Sequence, residues 1–266
     1  MIQTQTGSDV SLATDYPSRR DISGPTVNAQ RMRGRWFYRG MGIVAVVLVI
    51  AAFAPGIVNS AGRNAPLTPL AWAHGAVFSS WLLLYLVQTT FIATGRAAAH
   101  RRVGVVATLL AVAVLGVGYA TAIAMGRRGF DLSSALNAAA DPLRVLVFPL
   151  GDLVSFGLLV SAAFWYRRHP EIHKRLMLLA TAGSLMAAPL AHLLAHLPAL
   201  REPPAIILVP LAMFYMASTV HDRIVHGRIH PVSLWGGLSL LAWALLRAAV
   251  IGPSAPWHRF AGWLIS

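Results

Sequence analysis

Seven long apolar stretches fill the chain between Gly40 and Ile251, and Arg and Lys gather in every second gap between them. A bilayer span needs about 20 apolar residues at about 1.5 Å rise each. That rule predicts helices over 40–60, 68–93, 103–125, 145–166, 176–199, 204–220 and 232–251. The expected fold is therefore all-α: a polytopic membrane protein built as a bundle of about seven transmembrane helices. Residues 1–34 are rich in Ser, Thr, Asp, Gln and Arg, and read as a disordered cytoplasmic tail ahead of a transmembrane helical domain over 35–266. Trp257, His258, Arg259 and Trp263 read as an amphipathic interfacial end.

Composition agrees with the span pattern and narrows the partners. A hydrophobic fraction of 56%, 12% charged residues and a mean hydropathy of +0.62 lie outside the soluble globular range. The net charge of +13 borders apolar spans rather than a polar domain, which points to anionic lipid and bilayer orientation, not to nucleic acid. Placing the N-terminus inside puts fifteen Lys and Arg on the cytoplasmic side and seven on the other. The expected location is a bacterial inner membrane, N-terminus cytoplasmic and C-terminus external, with membrane lipids and a membrane partner subunit as the partners to look for. Zero cysteines removes disulfides, iron–sulfur ligation and thiolate chemistry.

Ionisable residues inside a span usually face a bundle interior or water. His74, Asp152 and His192 fall at one depth, about 10 Å in from the outer end of their helices by the rise per residue, and His196 lies nearer that end. His192 and His196 are i and i+4, on one helix face, where two imidazoles can grip one metal. His74, His192 and His196 are thus candidate haem or metal ligands, with Asp152 as an orienting or proton-relay group. Asp152 has a competing partner in Arg247, a structural link. Each histidine also has a plainer reading, a hydrogen bond to a neighbouring helix. On the second helix His74, Trp81 and Gln88 recur every seven residues, so Gln88 is either a further relay group or part of a packing seam.

Three motifs gather on the cytoplasmic rim: His100-Arg101-Arg102, His173-Lys174-Arg175, and His221-Asp222-Arg223 followed by His226 and His230. The first two sit where helices begin, and cations at a helix N-terminus can hold an anionic headgroup or phosphate. Ordinary positive-inside flanks would supply the same arginines.

Three stretches together resemble an uncharacterised family of bacterial multi-pass membrane proteins. They are Trp72 to Gly104 (His74, Gln88, Gly95-Arg96, His100-Arg101), His173-Lys174-Arg175-Leu176-Met177, and His230-Pro231 with Leu234-Trp235-Gly236. More distantly, the buried histidine with a His-Arg at the next helix start is similar to haem-bearing bundles of the cytochrome b and ferric-reductase type. That likeness implies one haem b bridged by His74 and His192 or His196, and redox function. A rival likeness is to seven-span zinc hydrolases, the alkaline ceramidases and adiponectin-receptor-like proteins, which implies zinc on the same histidines and a lipid substrate. Their His-x-x-x-His pair lies on the last helix, whereas His192 and His196 lie on the fifth. A third expectation is a non-catalytic membrane subunit that binds lipid or a partner.

Overall fold

Capping residues set the helix boundaries along the chain. Thr68 accepts a hydrogen bond from Ala71 N at 3.2 Å ahead of Pro69, and Asp141, His230 and Ser254 cap three later helices with Pro close behind each. A side-chain acceptor satisfies an orphan N–H, and Pro has none to lose there. At helix ends, Gly95 and Gly227 take φ of +77° and +67°, a conformation that glycine adopts without steric penalty.

The structure is a computed structural model that describes residues 25–58, 67–129, 141–195 and 204–266. Its helices are α1 (Pro25–Val58), α2 (Pro69–Ala93), α3 (Ala97–Arg128), α4 (Pro142–Val145), α5 (Val147–Trp165), α6 (Pro170–Leu178), α7 (Ala187–Ala195), α8 (Leu208–His226), α9 (Pro231–Leu246) and α10 (Ala255–Ile265). π-helical turns follow α6 (Leu179–Gly183) and α9 (Arg247–Ile251), and a 3-10 turn (Pro204–Ile207) leads into α8. α1 starts at Pro25, so helix reaches back into the segment expected as a tail. Pro25 at the first position and the helix formers Ala29, Gln30, Arg31, Met32 and Arg33 explain this.

Six segments are long and apolar enough to cross a membrane: Gly34–Val58, Pro69–Ala93, Ala97–Arg128, Pro142–Trp165, Pro170–Leu194 and Pro231–Ile251. The sixth of the seven expected spans, α8, is not among them, because its last turns carry His221, Asp222, Arg223 and His226. It nevertheless packs on α9, α7 and α1. Large apolar side chains such as Leu109 (72%), Met213 (71%) and Leu158 (68%) point outward, as a lipid-facing surface requires.

Hydrocarbon is as apolar as leucine, so close packing and hydrogen bonds hold such a bundle rather than transfer from water. The core is a layer of Trp81, Val114, Phe156, Leu179, Met186 and Tyr215. Trp81 meets Phe156 edge-on with centroids 4.9 Å apart and donates from Nε1 to Thr181 Oγ1 at 3.2 Å. The acceptor sits in the first π turn. An interhelical bond of this kind is worth about 0.6–2 kcal/mol in a membrane. Gly237 lets α9 approach α8 so closely that a Cβ there would lie 2.5 Å from the Tyr215 carbonyl oxygen.

Candidate functional site

Among the described residues, those expected near the outer leaflet do not gather into one site. Asp152 Oδ1 accepts from Arg247 Nη1 at 2.7 Å, and the same nitrogen donates to the Phe148 carbonyl at 2.7 Å. Trp243 and Phe148 lie against the guanidinium at 5.4 and 5.9 Å. Of the two partners open to Asp152, the structural one, Arg247, is the one it contacts. His74 stacks on Phe78 one turn along its own helix, and its Nδ1 is buried with no hydrogen-bond partner among the described residues. His192 is buried and packs against Phe53 of α1, with ring centroids 4.7 Å apart. His196 lies outside the described residues. Among those described, His74, Asp152 and His192 do not form a cluster of ligand atoms.

Gln88 belongs to the other end of the bundle. With its amide turned so that nitrogen faces His100 and oxygen faces Gly104, it donates to His100 Nδ1 at 2.7 Å and accepts from Gly104 N at 2.9 Å, which ties α2 to the start of α3. Fourteen residues separate it from His74, about 21 Å along a helix, so the two cannot share a site. His173 Nδ1 lies 2.8 Å from the Ala163 carbonyl, and its ring meets that of His100 edge-on at 6.2 Å. Two histidines expected as lipid contacts therefore brace helix ends, while Arg101 and Arg102 remain exposed.

At that same end, the starts of α6 and α9 meet the end of α8 in a polar hub. Arg175 grips Asp222 with both Nε (3.0 Å to Oδ2) and Nη2 (to Oδ1), and its Nη1 donates to Glu171 Oε2 at 2.6 Å. Ser233 Oγ donates to Asp222 Oδ2 at 2.6 Å, and His230 N donates to the same oxygen at 3.3 Å. Arg175 is 2% exposed and Asp222 0%. This corrects the expectation that Arg175 reaches a lipid headgroup: its guanidinium is buried, and all three of its nitrogens donate to acceptors on its own protein. Lys174 is likewise engaged, 2.7 Å from Glu171 and 5.4 Å above the Tyr38 ring. Burial, then the Arg175 charge, holds His230 below the ordinary histidine range. That suits its role as a cap, since Nδ1 must be unprotonated to accept from Val232 N.

Beside this hub lies the set of metal-ligand atoms that the structure does bring together. One atom from each of His221, Asp222 and His226 falls within 4.8 Å of the others. His221 is buried under Phe37, stacked at 4.0 Å and 19°, and both its ring nitrogens lack a hydrogen-bond partner among the described residues. His226 Nε2 is equally unpartnered, and its ring stands 81° to that of His221 at 5.6 Å. His221 Nδ1 is 3.7 Å from Asp222 Oδ1, too far for a hydrogen bond. Two ligands on one tetrahedral metal at about 2.0–2.2 Å each sit about 3.3 Å apart, so a small side-chain adjustment would bridge them. Asp222 is already oriented by Arg175, Ser233 and the His230 amide, the outer-shell support that ligating carboxylates use. The sequence displays the motif but hides the carboxylate's partner, 47 residues away.

At the opposite end, His258 presents both ring nitrogens to acceptors, Ser254 O and Asp141 Oδ2, each at 2.9 Å. The Ser254 carbonyl first, and Asp141 next, raise His258 above its ordinary range. The Arg144 amide first, then His258, lower Asp141. The pair pins α10 to the start of α4.

No known protein family matches the chain, and no curated protein or solved structure is similar to it. A multi-pass helical membrane protein is what the apolar helices establish.

Proposed function

We propose that this chain is a metal-binding membrane protein whose working centre is a divalent transition-metal site on His221, Asp222 and His226 at the cytoplasmic face. The observation that carries the reading is the buried His221 ring, with two unpartnered nitrogens beside a pre-oriented carboxylate and a second free imidazole nitrogen. A buried polar group without a partner costs about 1–3 kcal/mol, and coordination would remove that cost. Two imidazoles and one carboxylate form a donor set suited to first-row divalent ions, and it leaves open positions for an exchangeable ligand. The haem reading keeps His74 and His192 and has no comparable convergence of ligand atoms behind it.

The proposed setting is a bacterial inner membrane with seven crossings, α8 being the sixth, and the N-terminus inside. Fifteen basic residues against seven support that orientation. The alternation of helix ends at the hub supports α8 as a crossing: α2, α5 and α8 end there, and α3, α6 and α9 begin there.

The test is metal analysis and absorption spectroscopy on the detergent-purified protein, dialysed with Co²⁺ or Zn²⁺. One equivalent of metal is expected, reduced about tenfold or more in affinity by His226→Gln or His221→Gln and unchanged by His74→Gln. Metal uptake insensitive to both hub variants, or a reducible Soret band with no Co²⁺ or Zn²⁺ taken up, would overturn the reading.

A further inference from the structure

A second feature lies at the opposite end of the bundle and is independent of the metal centre. Between α3, α5, α9 and α10 runs an apolar cavity of about 650 Å³, within the range of small-molecule sites, with Leu115, Tyr119, Val154, Gly157, Trp243 and Phe260 on its walls. It opens sideways toward lipid, since Val154, Phe260 and Tyr119 are each about half exposed. Along α5 the lining runs from Val147 to Leu158, about 16 Å at 1.5 Å per residue. Half the hydrocarbon thickness of a bilayer is about 15 Å. The groove is thus one leaflet deep.

Its mouth carries cations that the protein holds in place. Arg144, one turn before Val147, is exposed and donates from Nη2 to Ala248 O at 3.4 Å. Arg127, also exposed, donates from Nε to Ile265 O at 2.8 Å, beside the lining residue Leu264. Each guanidinium gives a hydrogen bond to a backbone carbonyl and stays on the exposed surface. Among the described residues, the acidic groups at this end are Asp141, engaged by His258, and Asp152, engaged by Arg247. An apolar trough one leaflet long, with two anchored guanidiniums at its mouth, matches an acyl chain with a phosphate headgroup.

We propose that this groove is a lateral binding site for an anionic phospholipid of the leaflet opposite the polar hub, its acyl chain lying against Gly157 and its phosphate held by Arg144 and Arg127. Gly157 gives the floor its depth. A Cβ there would meet Leu115 at 3.5 Å, ordinary contact, so a larger side chain enters the groove without displacing backbone.

Trp243 and Trp257 line the groove, which provides a readout. Delipidated protein in micelles is titrated with phosphatidylglycerol or phosphatidylcholine carrying brominated acyl chains, and tryptophan quenching is followed. An arginine near an anionic lipid surface is worth roughly a factor of five, so saturable quenching with a preference of about tenfold or more for phosphatidylglycerol is expected at low salt. Gly157→Leu should abolish the saturable phase for both lipids. Arg127→Gln with Arg144→Gln should remove the preference and leave the phase. Should Gly157→Leu fail to fold, Val154→Trp on the exposed wall closes the same groove. Quenching that rises linearly with lipid fraction, or equally for both lipids, means annular lipid only and overturns the proposal; so does an unaltered phase in the plugged variant.

Discussion

Asp152→Asn isolates an ion pair that lies within the apolar part of the bundle. The amide keeps the shape of the carboxylate and removes the charge facing Arg247, 2.7 Å away. Breaking a buried pair from one side costs about 3–5 kcal/mol, because the remaining charge is stranded. Asp152 keeps 17% side-chain exposure, and Arg247 keeps the Phe148 carbonyl and two aromatic faces. The lower end, about 3 kcal/mol, therefore applies. Arg247→Gln strands the carboxylate instead and should cost a similar amount. The double variant removes both charges, and groups in direct contact couple by up to about 3 kcal/mol, so it should lose about 3 kcal/mol rather than the sum of about 6. Unfolding by SDS titration in mixed micelles, followed by circular dichroism, measures all four corners of the cycle. Additive losses within about 0.5 kcal/mol, or an Asp152→Asn protein as stable as the parent, would refute the pairing argument.

Two further outcomes are expected. The His258 contribution is complete below its unfolded pKa of about 6.5 and fades as pH rises through the raised folded value, while that of Asp141 is complete above about 3.9 and fades as pH falls through its lowered one. Docking of α10 should thus be firmest between about pH 4 and 6.5 and loosen on either side, visible in the thermal midpoint against pH and flattened by Asp141→Asn. Gly237→Ala should cost about 1–3 kcal/mol as overpacking, because the obstacle is the Tyr215 backbone rather than a movable side chain; SDS titration unchanged by that substitution would contradict the close crossing of α8 and α9.

The membrane class and most helix positions were legible in the sequence because hydropathy and span length are local properties. Arg247 was readable as a partner for Asp152 for the same reason: both depths follow from counting along a helix. The hub was not. Arg175 lies in a basic rim that the positive-inside tendency explains without any tertiary contact, and nothing local marks it as 2% exposed. Asp222 is the signal that was available, a lone acid among cations on a helix end, and its partner lies one crossing back, 47 residues away. Gln88 was readable as a residue that bonds across helices, but whether it bonds to α3 or faces His74 depends on the packing of α2 against α3.

The hub also sets a timetable for biogenesis. Asp222 is 47 residues beyond Arg175, and Ser233 is 58 beyond it. At about 5–20 residues per second, the ribosome needs roughly 2–12 s after making Arg175 before those acceptors exist. During that interval the guanidinium has only Glu171, four residues back on its own helix, as an acidic partner within the polar hub. The half-built bundle therefore carries an under-neutralised Arg175 until α8 brings Asp222, and the arrival of α9 with Ser233 closes the hub.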